Sequence, residues 1–199
     1  MKNKFYFMLK SLYVILSAIL FSGIVMGQNV KRNIVGGITE KKGEKSEYIV
    51  HDQGDYFVLY NKKNSLMIYE SDFERRMGIR RTNTIVKFDD RSKIENLVFK
   101  IIAPFYRDFK AKYSDDISSF NITLYSKTDG KVCELLFSYN QYANIPFSAI
   151  EKLENEILGS NLKLEFDPNN YFVKDVLWVN YELSVSAGRM KESLKAENK

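Results

Sequence analysis

The stretch Ser118–Leu158 constrains the fold more than any other part of this chain. Phe120, Ile122 and Leu124 alternate with Asn121, Thr123 and Tyr125, the pattern of a half-buried antiparallel strand. Lys127-Thr128-Asp129-Gly130 follows, and Asp-Gly marks a hairpin because glycine accepts positive φ at no steric cost. In the return arm Cys133, Leu135 and Phe137 fall on one face, which places Cys133 in the core as a small apolar residue. Ser148 and Glu151 have capping-box spacing, Ile150, Leu153 and Ile157 make an apolar stripe, and Gly159 sits where a helix stops. The unit reads as strand, turn, strand, helix.

The flanking segments read in the same way. Ser92 and Glu95 form a second capping box before the stripe Ile94, Leu97, Val98, Ile101 and Phe105, with a kink at Pro104 and a helix reaching about Lys112. Strand patterns occur at 47–50, 55–60, 65–70, 85–88, 162–166 and about 173–185. The 55–60 and 65–70 runs flank a four-residue polar turn and predict a hairpin. The fold class expected is α+β: an antiparallel sheet of hairpins with two helices packed on one face.

Lys2, Lys4 and Lys10 precede an apolar run, Leu12–Met26, and Val25 and Gly27 suit a signal-peptidase site. Residues 1–27 are therefore expected to be a signal peptide, an uncleaved anchor being the alternative. Residues 28–46 are expected to be a flexible leader and 47–186 one α+β domain, with a β-hairpin part at 47–90 and a helix-hairpin-helix-strand part at 91–186. Residues 187–199 are expected to be a polar tail. The expected location is periplasmic or extracellular, with no membrane span after cleavage. The segment carries three lysines and no acids, so the formal charge of +5 falls to +2 on its removal. That argues against nucleic acid as a partner, which calls for a concentrated basic face on the folded domain.

From Ser92 onward the order is helix, strand, Asp-Gly turn, strand, helix, strand. With Thr128-Asp129-Gly130-Lys131-Val132 at the hairpin and VLWVNYELSV as the closing strand, this part resembles the carboxy-terminal domain of TonB-type proteins. The resemblance implies a shared topology over residues 92–185. It does not extend to energy transduction. Such transducers cross the periplasm on a Pro-rich linker, and the three prolines here are Pro104, Pro146 and Pro168.

Chemistry-bearing patterns are sparse. The sole histidine, His51, stands beside Asp52, far in sequence from the sole cysteine, Cys133. No zinc spacing, EF-hand loop, phosphate loop or nucleophile elbow occurs, so neither a cofactor nor a metal is expected. The candidate binding residues are Arg75, Arg76, Arg80 and Arg81, whose guanidinium groups suit anions, and the aromatic side chains Tyr56, Tyr60, Tyr69 and Trp178. These features favour a non-catalytic binding or protein-interaction module of the cell envelope, its partner another envelope protein or a glycan. The alternatives are an envelope-polymer hydrolase using carboxylates or His51, and an anionic-polymer binder acting through Arg75–Arg81.

Overall fold

Gly130 adopts φ +77° and its N–H donates to the Lys127 carbonyl at 3.0 Å, so the Asp-Gly turn closes as its sequence demands. It joins β5 (Phe120–Ser126) to β6 (Val132–Asn140). The computed structural model describes residues 37–66, 78–79, 85–110, 119–171, 173 and 176–196. Around the hairpin stand β1 (Ile38–Lys42), β2 (Glu47–Asp52), β3 (Tyr56–Asn61), β4 (Gly78–Ile79) and β7 (Trp178–Val185). The sheet order is β1-β2-β3-β6-β5-β7-β4. The pairings are antiparallel except for the short β4, which runs parallel to β7.

The register explains the core. Val50, Leu59, Phe137, Ile122 and Leu183 stand in one row across five strands, all buried. Three helices cover this face: α1 (Arg91–Ile101), α2 (Phe147–Gly159) and α3 (Ala187–Ala196). Ile94, Val98 and Ile101 from α1, Ile150, Leu153 and Ile157 from α2, and Met190 and Leu194 from α3 join one apolar cluster with the row. Two helix stripes were legible in sequence; the third helix replaces the expected polar tail. Its Ala187, Met190 and Leu194 recur at helical spacing and are buried.

Several expectations give way to longer-range pairing. Both edges of β3 are occupied, by β2 and β6, so a 55–60/65–70 hairpin has no edge to form on. The backbone N–H groups of Ser65 and Leu66 instead donate to the Glu134 carboxylate at 2.7 and 2.9 Å. Residues 38–42 of the expected leader form edge strand β1, exposed along its whole length and therefore without an apolar pattern to reveal it. The 85–88 and 162–166 runs meet as an isolated bridge, Lys87 with Glu165. The closing strand begins at Trp178 rather than near Val173. The first helix ends at Ile101, and a 3-10 turn at Ala103–Tyr106 carries Pro104.

Cys133 is exposed, not in the core. Tyr125 pairs with Glu134 and Ser126 with Val132, so Cys133 is the extra residue of a one-residue bulge. The bulge resets the alternation and turns Val132 inward in its place. The far end of α2 is closed by Asn161, at φ 51°, rather than by Gly159, the last helical residue.

Neither capping box forms. The helices begin at Arg91 and Phe147, without a side-chain cap at Asp90 or Pro146. The two glutamates reach off their helices instead. Glu95 accepts from Arg91 Nε at 2.8 Å and from Arg189 Nη1 and Nη2 at 2.8 and 2.9 Å, joining α1 to α3. The Arg189 fork, opposed by burial and helped by Arg91, holds the Glu95 carboxyl down to about 2. A carboxylate with a depressed native pKa stabilises fully above its unfolded value, and loses that contribution as pH falls through the native one. Part of the stability is therefore expected to decay between about pH 4.5 and pH 2, amounting to roughly 1–2 kcal/mol with the arginines half exposed. Thermal midpoints across this range check it: Glu95→Gln should flatten the slope, and a parallel curve would refute the assignment.

Candidate functional site

Alternation along β3 puts Tyr56, Val58 and Tyr60 on the sheet face opposite the helices, as the sequence implies. Their environments differ. Tyr56 is exposed, whereas Tyr60 is half-buried, stacks on His51 at 5.8 Å and packs against a small second cluster of Tyr125, Leu136 and Trp178. Trp178 meets Tyr125 edge-on at 5.3 Å and is buried, so its indole packs against protein instead of standing free for a ligand. Of the aromatic candidates described, Tyr56 alone offers an exposed ring. Tyr69, Arg75, Arg76, Arg80 and Arg81 lie outside the described residues.

His51 is buried on β2, and the strand register separates it from Cys133. His51 stands level with Val58 and Ser138, while Cys133 lies five residues farther along β6. Packing around the sulfur, with the Glu134 carboxylate adding to it, raises the Cys133 thiol and favours its protonated form. No group of three or more His, Cys, Asp or Glu side chains with metal-binding geometry occurs among the described residues.

The helix face holds a cleft of about 700 Å³. It opens between the end of α1, the first turns of α2 and the Gly43–Ser46 loop between β1 and β2. Its lining is mixed: Ile101, Phe105, Pro146 and Ala149 contribute apolar surface, and Lys45, Lys100 and Lys152 line it together with Glu44 and Glu156. None of the three lysines is held in an ion pair among the described residues. Sequence reasoning missed the cleft because its walls come from three segments that only the fold brings together.

Glu151 fixes the loop wall. Its carboxylate accepts the backbone N–H of Glu44 and that of Lys45, the latter at 3.0 and 3.1 Å to its two oxygens. A Cβ on Gly43 would meet that carboxylate, which would have to shift to admit it. Burial pushes the Glu151 carboxyl up, but the loop N–H groups outweigh it and bring it below its usual range. One turn on, Glu154 accepts from Tyr48 Oη at 2.6 Å and Asn61 Nδ2 at 3.0 Å, tying α2 to β2 and β3. Burial raises its carboxyl despite both bonds. Two carboxylates pushed in opposite directions resemble an acid–base pair. Here, however, Glu151 binds backbone through both oxygens, and Glu154 is buried and does not line the cleft.

Glu151→Gln is expected to free the loop while leaving the sheet intact. Amide exchange at Glu44 and Lys45 should accelerate at least about tenfold, with about 1–2 kcal/mol lost overall. Unchanged protection at those two amides would rule out Glu151 as the anchor.

No family model matches the chain, and no curated protein matches it. Among solved structures it is similar to a DUF5043 family protein from Bacteroides uniformis, at 16% identity and a TM-score of 0.47, covering 77% of this chain and 87% of that one. A likeness of that degree bears on neither family nor function. No helix among the described residues is long and apolar enough to cross a membrane.

Proposed function

We propose that this chain is an exported, non-catalytic binding module that seats a peptide segment of another envelope protein in the cleft between α1, α2 and the Gly43–Ser46 loop. One observation carries the reading: a cleft of about 700 Å³ whose lining joins apolar side chains to three lysines that make no ion pair among the described residues. Apolar lining holds a side chain by removing its surface from water, and charged groups beside it orient the flanking backbone. The Glu151 carboxylate, which also lines the cleft, is committed to the loop backbone through both oxygens, which favours binding over acid–base work by that group. Export rests on the amino-terminal pattern, with Gln28 as the expected first residue of the mature chain.

The test is photocrosslinking in the cell envelope from probes placed at Lys100 and Lys152, with Thr128, in the exposed hairpin turn, as the control position. An adduct of defined mass from both cleft positions, absent from position 128 and lost when Ala149→Trp narrows the cleft, is the expected result. Equal adducts at all three positions, or none in the cleft, would reject it. Amino-terminal sequencing of the exported protein examines cleavage separately, and a chain retaining Met1 would refute the mature start.

A further inference from the structure

At one end of the sheet the ends of β1, β2, β3 and β6 lie side by side. Five large apolar side chains are markedly exposed among the described residues, and three stand at this end: Ile38 at 48%, Tyr56 at 39% and Tyr142 at 53%. Ile38 pairs with His51 and Tyr56 with Asn140, and Tyr142 follows two residues later in the 3-10 turn Gln141–Ala143. The three are spread diagonally over about 14 Å, three strand spacings, with Ile38 level with Val58 and Tyr142 two residues beyond the partner of Tyr56. Single exposed apolar residues are ordinary on a soluble protein, but three gathered at one end of a sheet mark that end as a candidate surface.

The backbone under the tyrosines is fixed. Gln141 N–H donates to the Asp55 carbonyl at 3.1 Å, and the Gln141 side-chain amide donates to the Gly54 carbonyl, bonding the β2–β3 turn to the turn after β6. Gln53 N–H donates to the Tyr56 carbonyl at 3.0 Å, Tyr142 N–H to Asn140 Oδ1 at 3.0 Å, and Asn144 Nδ2 to the Tyr142 carbonyl at 3.1 Å. A platform ordered in advance loses little entropy when a ligand arrives. Beside it, the Gln53 amide and the Asp55 carboxylate make no side-chain hydrogen bond among the described residues. The two turns, DQGDY at 52–56 and NQYAN at 140–144, contain neither lysine nor arginine in a chain with 30 of them.

From this arrangement we infer a second binding surface, separate from the cleft, for a neutral saccharide chain. Sugar rings present flat C–H faces that pack on phenol rings, and pairs of neighbouring hydroxyls that planar amide and carboxylate groups can bridge. Tyr56 and Tyr142 supply the first chemistry, and Gln53 and Asp55 the second. An anionic polymer finds no cation in either turn and meets the Asp55 charge.

Affinity electrophoresis of the full chain tests this, in native gels containing hydroxyethylcellulose, glucomannan or dextran, with polygalacturonate as the anionic comparison. Retardation by at least one neutral polymer and not by polygalacturonate is expected. Tyr56→Ala with Tyr142→Ala should weaken it about tenfold or more, equivalent to about 1.4 kcal/mol. The corresponding phenylalanine pair should keep most of it, because the ring faces remain. Both rings are exposed, so the variants should fold, and circular dichroism verifies that they do. Ala149→Trp should leave the retardation unchanged, which separates this surface from the cleft. The inference is overturned if no neutral polymer slows the chain, if the alanine pair is slowed as much as the parent, or if polygalacturonate slows it equally.

Discussion

A chain ending at Ser186 is expected to lose at least about 4 kcal/mol of stability, enough to unfold much of a domain whose total is roughly 5–15 kcal/mol. The deleted residues include Met190, wholly buried, and Leu194, nearly so, and each is worth about 2–5 kcal/mol when truncated to alanine. Two polar ties go with them. Arg189 leaves Glu95 without its bidentate partner, and Lys191 Nζ no longer donates to the Phe109 carbonyl at 2.5 Å. Urea unfolding provides the measurement, and Met190→Ala in the full chain, expected to cost about 2–4 kcal/mol, keeps the question open to test if the shortened chain cannot be purified. A truncation that left the midpoint unchanged would mean that α3 is not part of the core.

The second large effect concerns one glycine compared with another. Gly130→Ala is expected to destabilise by about 2–4 kcal/mol, since φ +77° alone costs an L-residue about 1–2 kcal/mol. The new methyl would also strike the Leu164 carbonyl oxygen, which is backbone and cannot swing aside. That approach is close because the 162–164 segment is bonded to the hairpin, Val132 N–H to the Leu162 carbonyl at 3.0 Å and Leu164 N–H to the Gly130 carbonyl at 2.8 Å. Gly159→Ala should act oppositely, stabilising by up to about 1 kcal/mol, because Gly159 is helical and its added Cβ meets open space. Thermal denaturation of the two variants side by side decides the matter. Equal midpoints would contradict the account of the turn.

What the sequence revealed follows the range of the interactions. The β5–β6 hairpin and the stripes of α1 and α2 were legible because their signals lie within a few residues: alternation, Asp-Gly, and helical spacing. Cys133 was misplaced because a bulge is set by the partner strand, and one extra residue inverts every inference from alternation beyond it. The 55–70 hairpin failed because the partners of β3 are chosen by competition between edges, and β6, from far along the chain, takes the edge that the nearer segment was expected to fill. Edge strand β1 carries no apolar face to read. The helical spacing of Ala187, Met190 and Leu194 was present all along, hidden by the charged residues between them. At the sites, Tyr56 was identified and found exposed, but Tyr142 was not, since a tyrosine in a turn after a strand has no pattern to distinguish it.

The sheet order has a bearing on how the chain is made. Leu59 on β3 faces Phe137 on β6, roughly 80 residues later, so β1, β2 and β3 emerge from synthesis long before the strand that covers their open edge. For that interval a three-stranded ribbon, apolar on β2 and β3, presents unpaired backbone groups, the kind of surface that adds foreign strands. Completion must await the β5–β6 hairpin, which forms locally and then serves as the template on which the earlier ribbon docks. The expected order of assembly is therefore from the middle of the chain outward, and conditions that delay the hairpin should send the amino-terminal strands toward aggregation before they alter the folded state.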